Sequence, residues 1–201
     1  MIAAMTHELF LGLIAFAFVS SITPGPNNMM LMASGANFGL RRTVPHMLGV
    51  ALGFGLMVGL VGVGLLGLFD LWPTSHAIIK WGGVLYMIWL AFKIAQAGPP
   101  KSGAERGRPF SFVQAAAFQW VNPKAWTMAL GATAAYAPRG DLLAVGWVAL
   151  VFTLVNFPSV GTWAVLGQSL GTWLVDARRL RIFNFTMAGL LLASLVPVIA
   201  G

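Results

Sequence analysis

Cysteine is absent from this chain, and its absence removes disulfide exchange, thiolate metal sites and cysteine nucleophiles from consideration. Charge is almost as scarce. Only 8% of the 201 residues are Asp, Glu, Lys or Arg and 58% are hydrophobic, where a soluble domain carries about 25% charged residues. Together with a mean hydropathy of +0.83, this excludes an ordinary soluble domain and points to an integral membrane protein whose main surroundings are the lipid bilayer. Acidic residues are the scarcest of all. Glu8, Asp70, Glu105, Asp141 and Asp176 make up the whole set, and none falls inside an apolar run. A buried lysine or arginine side chain, or a divalent metal, needs carboxylates or several ligands in low dielectric, so any cargo held in the core is expected to be neutral rather than basic. No metal site and no cofactor are expected.

Basic residues are in excess, with net charge +7 and a pI near 10.9. A nucleic-acid partner would need them clustered on one solvated face; here they sit in short gaps between apolar runs, so no such partner is expected. Those runs cover residues 9–40, 44–69, 77–97, 110–137, 142–175 and 182–200, and a helix crosses the hydrocarbon layer in about 20 apolar residues. Six transmembrane helices follow. The apolar N-terminal run lacks the basic start of a signal peptide and outlasts its usual apolar core, which makes it a retained first span. Arg41, Arg42, Lys93, Lys101, Arg106, Arg108, Arg178, Arg179 and Arg181, nine of the twelve basic residues, fall near the end of span three or in the gaps after spans one, three and five. The excess of Lys and Arg in cytoplasmic loops places these gaps inside the cell and both termini outside.

Proline is where a membrane span should exclude it. Residues 20–32 read SSITPGPNNMMLM, and the fourth apolar run is broken in the same way by Asn122-Pro123. Six spans divide into two sets of three, and an odd number forces the second set to enter from the opposite face, giving the inverted repeat of many secondary transporters. The expected organisation is a single transporter domain over 1–201, with halves at about 1–97 and 110–201 and a cytoplasmic linker at about 98–109. Thr23 and Asn122 each suit a helix N-cap with proline at the first helical position. At 1.5 Å per residue the breaks lie about 22 and 19 Å along their spans, in the middle region of the membrane. A helix start is a ready anion site, and irregular backbone in hydrocarbon must be buried in protein or line a wet cavity. The two breaks are therefore expected to face each other around a pocket able to hold a carboxylate. The plainer alternative is that Pro24, Pro26 and Pro123 only kink their helices.

TPGPNNMM at 23–30, GGVLYMIWLAFK at 82–93 and FQWVNPKAW at 118–126 resemble the LysE-type amino-acid exporters, in particular the homoserine and threonine resistance branch. The resemblance covers nearly the whole chain. It implies a multi-pass exporter of amino acids or close derivatives in a bacterial inner membrane, driven by the membrane potential or a proton gradient, and not an enzyme. By motif match it carries the helix-breaking positions to Pro24, Gly25, Pro26 and Asn27 and to Asn122, Pro123 and Lys124. The sixth span departs from the family's glycine-rich ending, with Pro197 near its close.

The expected substrate-binding set is Thr23, Pro24, Gly25, Pro26, Asn27, Asn28, Asn122, Pro123, Lys124 and Asn156. Lys124 is the one basic residue near the midplane, where an unpaired charge is costly; it would neutralise a carboxylate or move a proton, or else snorkel to water. His46 is the other candidate for proton coupling, although a lone histidine near a span end reads more simply as interfacial. Asn156 and Pro158 form a third disturbance, VNFPS, whose amide and freed carbonyl are offered to the pocket. Gly49, Gly53, Gly55 and Gly59 give two GxxxG spacings suited to close helix contact, with homodimer formation as the lesser alternative. Trp72, Trp81 and Trp173 read as interfacial anchors, and Trp120 and Trp126 flank the fourth-span break. Two rival functions stand beside export: a non-transporting structural or regulatory subunit, and an intramembrane hydrolase, for which Ser20, Ser21 and His46 supply no recognisable nucleophile motif.

Overall fold

The computed structural model describes residues 6–64, 74–96, 108–137, 141–171, 173–196 and 199, with the backbone alone at 75, 76 and 79. Trp72, Pro197, the side chain of His76 and most of the 98–109 linker lie outside the described residues. Every regular element among those described is helical.

Helix α1 (His7–Ile22) is capped by Thr6, whose hydroxyl accepts from Leu9 N. It stops at Thr23 because the residue before a proline is pushed out of the helical region, and Pro24 has no N–H to continue the ladder. Helix α2 (Pro26–Phe38) restarts after an extended Gly25, and the pair is bent by 58°. The restart corrects the sequence expectation. Pro26, not Pro24, takes the first helical position, and Thr23 closes α1 instead of capping α2.

Gly39, at a φ of 79° that a side chain would resist, turns the chain directly into α3 (Leu40–Gly62). Arg41 and Arg42, expected in a gap between spans, therefore lie in the first turn of α3. Helix α4 (Thr74–Ala95) follows. The fourth apolar run is in pieces: α5 (Phe112–Phe118) opens with a Ser111/Gln114 capping box, passes into a 3-10 turn (Gln119–Val121) and breaks at Asn122. Helix α6 (Pro123–Tyr136) starts there, with Asn122 as N-cap and Pro123 in the first position. Helix α7 (Leu142–Gly171) runs about 45 Å at 1.5 Å per residue with Pro158 inside it. A short 3-10 turn (Trp173–Val175) leads to α8 (Ala177–Ala193), capped by Asp176.

Among the described residues, Leu40–Gly62 and Leu142–Gly171 are each long and apolar enough to cross a membrane, and the bent pair α1 and α2 makes a third candidate. Helix α7 is the central element. It packs against α1, α2 and α3, while α3 also receives α5 and α6, and α4 pairs with α8. One apolar cluster joins α1, α3, α6 and α7 around Leu13, Met57, Ala129 and the edge-to-face pair Phe54 and Phe152, whose ring centroids are 5.4 Å apart. A second, rich in methionine, joins α2, α4 and α8 through Met29, Met30, Met87 and Met187.

Lipid tails are as apolar as leucine, so helices in a membrane associate through close packing instead of escape from water. The glycines show where. A Cβ added at Gly35 would land on the carbonyl oxygen of Ala164, and one at Gly167 on that of Met32, so α2 and α7 interlock backbone to backbone. Gly49 and Gly53 do the same for α3 against Phe112 and Ala116 of α5. The first GxxxG spacing thus serves an internal contact. Gly35→Leu is expected to destabilise the protein by at least the ~1–3 kcal/mol of an overpacked core. Loss of a monodisperse peak in detergent and a lowered melting temperature would register it, and an unchanged melting curve would contradict the interlock.

Candidate functional site

The end of α1 leaves carbonyls that no helical N–H can reach, as at any helix C-terminus. Side chains from three other elements take them. The Asn28 amide of α2 donates to Ser21 O at 3.0 Å and to Thr23 O at 2.7 Å. From α7, Trp163 Nε1 donates to Ile22 O at 3.0 Å. From α6, Lys124 Nζ donates to Thr23 O, to Thr23 Oγ1 at 2.9 Å and to Pro24 O at 3.4 Å. The ammonium, for which the sequence offered no carboxylate, is held by the negative end of a helix dipole.

The two breaks are therefore in direct contact. Gly25 makes room for this: a Cβ there would stand 2.6 Å from Lys124 Cδ and 3.2 Å from Nζ. A second bond pair joins the same elements beside it. Asn27 Nδ2 donates to Gln119 Oε1 at 2.8 Å and Gln119 Nε2 donates back to Asn27 Oδ1 at 3.2 Å, with Gln119 also donating to Ala115 O. Asn122 Oδ1 accepts from Lys124 N, capping α6. Gly25 gives α2 no side-chain cap, so the first-turn donors of α2 are open to an anion.

Between the breaks is a cavity of about 20 Å³, lined by Ser20, Ser21, Asn27, Asn28, Lys124 and Asn156 among others. That is room for about one water molecule. An amino acid enters only if the two breaks separate. Two buried groups facing this cavity, Ser21 Oγ and Asn156 Oδ1, have no hydrogen-bond partner among the described residues. A buried acceptor in that state costs free energy, and a ligand donor would relieve it. No Asp or Glu among the described residues lines the cavity.

Of the expected residues, Gly25, Asn27, Asn28, Asn122, Lys124 and Asn156 line this one cavity, and Thr23 and Pro24 meet it through the Lys124 ammonium. Pro26 and Pro123 start the two helices that bound it. His46 is placed elsewhere. It was expected at the interface, yet it is 2% exposed, because α3 begins at Leu40 and Phe110 packs over the imidazole with ring centroids 5.3 Å apart. Trp120 and Trp126 brace the fourth-span turn, with Trp126 Nε1 donating to Trp120 O at 2.9 Å. Gln119 and Trp163 were missed. A glutamine three residues before an asparagine-proline break was the available signal for the first; nothing in sequence announced the second.

These features define an all-helical membrane protein with polar helix breaks in contact at its centre. The chain belongs to the LysE type translocator family, whose pattern matches residues 18–196. It is 31% identical over 173 residues to the cysteine/O-acetylserine efflux proteins of Escherichia coli (strain K12) and Shigella sonnei (strain Ss046), covering 82% of this chain and 85% of each relative. The protein of the same description in Shigella flexneri serotype 5b (strain 8401) matches over the same shares. No solved structure matches the chain.

The contact between the breaks is testable in a chain free of native cysteine. With Asn27→Cys and Gln119→Cys together, a short bifunctional thiol reagent is expected to bridge the two positions, seen by mass spectrometry of the cleaved chain. Absence of the bridged fragment would place the breaks apart.

Proposed function

We propose that this protein is a secondary-active exporter of neutral amino acids or close derivatives, working by alternating access around the two helix breaks. The observation that carries this reading is the reach of Lys124 from one break to the carbonyls of Thr23 and Pro24 at the other. That contact pairs an ammonium with helix-end carbonyls. A zwitterion carries both an ammonium and a carboxylate, and can replace it from each side: its ammonium takes the carbonyls of Thr23 and Pro24, and its carboxylate takes Lys124 and the open first turn of α2. Asn156 Oδ1 and Ser21 Oγ, both unpartnered, then meet the polar atoms of a small side chain. Lys124 is in this reading a latch that the cargo releases, so occupancy of the site and separation of the breaks are one event.

The reading includes six spans in two inverted halves, about 1–97 and 110–201, joined by a cytoplasmic linker at about 98–109, in a bacterial inner membrane with both termini outside. Reciprocal packing supports it. Helix α1 lies on α7 as α5 lies on α3, and α4 meets α8, which is the exchange expected of two halves related by a two-fold axis in the membrane plane. The compounds for which the relatives are named, cysteine and O-acetylserine, are small neutral zwitterions and the first to try. A cavity with no carboxylate among its described lining residues favours them over basic amino acids. Lys124 and His46 are the groups through which a proton would be coupled.

In proteoliposomes, counterflow of O-acetylserine or cysteine is expected for the unmodified chain. Lys124→Ala and Pro26→Ala are expected to insert and to lose flux by tenfold or more, in keeping with the ~1.5–3 kcal/mol of a charge-assisted bond. Full efflux by both variants would remove the site, and no flux of any amino acid by the unmodified chain would favour a structural subunit. Asn156→Leu should lower flux with an unchanged or higher melting temperature, since an apolar group there removes an unpaired acceptor; a large drop in melting temperature would make Asn156 a structural residue.

A further inference from the structure

A second cavity, of about 390 Å³, opens between the C-terminal half of α2, the start of α3 and the end of α4. It shares no lining residue with the cavity at the breaks, and its volume lies in the range of about 300–1,000 Å³ that small-molecule clefts take. Its polar residues divide into those already engaged and those that are not. Ser34 Oγ is bonded to Thr43 Oγ1 at 2.9 Å, and the Asn37 amide donates to Ala33 O and Asn184 Oδ1. Lys93 and Arg108 line the same space with no ion-pair partner among the described residues. The Lys93 ammonium, on an exposed side chain, lies over the Trp89 ring, 5.5 Å from its centroid.

His46 also lines this cavity, is 2% exposed, and has no hydrogen-bond partner at Nδ1 or Nε2 among the described residues. A neutral imidazole carries one donor and one acceptor, and burying both unpaired costs free energy that a ligand would restore. Lys93 and Arg108 are exposed, and together they offer a carboxylate two charge-assisted donors at the cavity mouth. An unpaired imidazole requires a neighbour that both donates and accepts. No Asp or Glu among the described residues lines the space, so they offer a basic ligand no counter-charge.

We infer that this cavity is a separate binding site for a zwitterionic amino acid, its carboxylate held by Lys93 and Arg108 and its ammonium or side-chain polar group by His46. This rests on the exporter reading for the identity of the cargo. Asn28 at the first cavity and Asn37 at the second are nine residues apart on α2, about 13 Å along the helix axis. In the proposed orientation the second site faces the cytoplasm. It gathers cargo by its carboxylate before the breaks part, and α2 is the rail between the two sites.

The test uses Ser34→Cys in the full-length, otherwise cysteine-free chain in proteoliposomes, labelled with a maleimide in the presence of O-acetyl-L-serine or its carboxyl methyl ester. O-acetylserine is expected to slow labelling, and the ester, lacking the carboxylate, is not. Lys93→Gln, Arg108→Gln and His46→Leu should each raise the protecting concentration about tenfold, as loss of one charge-assisted or buried bond implies, whereas Lys93→Arg should restore it. Lys124→Ala should abolish counterflow without altering protection. Labelling that ignores O-acetylserine, or protection equal with the ester or unmoved by the Lys93 and Arg108 variants, overturns the site. Counterflow measured on the same vesicles judges the exporter reading separately: protection without flux keeps the site and removes the exporter, and flux without protection does the reverse.

Discussion

A helix that stops inside hydrocarbon leaves carbonyls that water cannot reach, and the protein must answer them itself. Much of this molecule can be traced to that requirement at the end of α1. Asn28, Trp163 and Lys124 supply the missing donors, and in doing so they bring α2, α7 and α6 to one point. The break is imposed by Pro24 and Pro26, which cannot donate. Its repair draws distant parts of the chain together: the Lys124 and Thr23 contact spans 101 positions and the Trp163 and Ile22 contact 141. A polar centre is the result, built from bonds that satisfy the backbone and equally suited to being exchanged for the bonds of a ligand.

The scarcity of carboxylates gives that centre its character. With no Asp or Glu among the described residues of either cavity lining, the contacts of several cations run to carbonyls and aromatic faces. Lys124 rests on helix-end oxygens, Lys93 on Trp89 and Arg179 on Trp173, with its guanidinium carbon 4.9 Å from the ring centroid. Such contacts are weaker and more exchangeable than a buried ion pair, whose breaking would leave an uncompensated charge. The exporter proposed above, which would release and remake its central contact in each cycle, would gain from having no carboxylate there.

The paired interruptions were legible because both breaks carry a polar residue beside a proline inside an otherwise apolar run. Asn122 took the cap position its type favours. Thr23 did not, because two prolines at 24 and 26 compete for the first helical position and the extended Gly25 decides for the second. His46 sits deeper than its position suggested, since a single glycine with positive φ at 39 suffices for the turn and α3 takes in the arginines that looked like a loop. The Asn27 and Gln119 pair joins positions 92 apart, a relation with no periodic signal. Composition and spacing thus revealed where the chain breaks, while the partners that answer each break appear only in three dimensions.

The glycine contacts have a bearing on how such a molecule could move. Helices that touch backbone to backbone have no side-chain cushion between them and cannot slide without a clash. Gly35 and Gly167 tie α2 to α7, and Gly49 and Gly53 tie α3 to α5. Each tied pair takes one helix from the first half of the chain and one from the second. In the proposed exporter the rigid bodies would therefore not be the sequence halves: a piece built on either tied pair would be a hybrid of both.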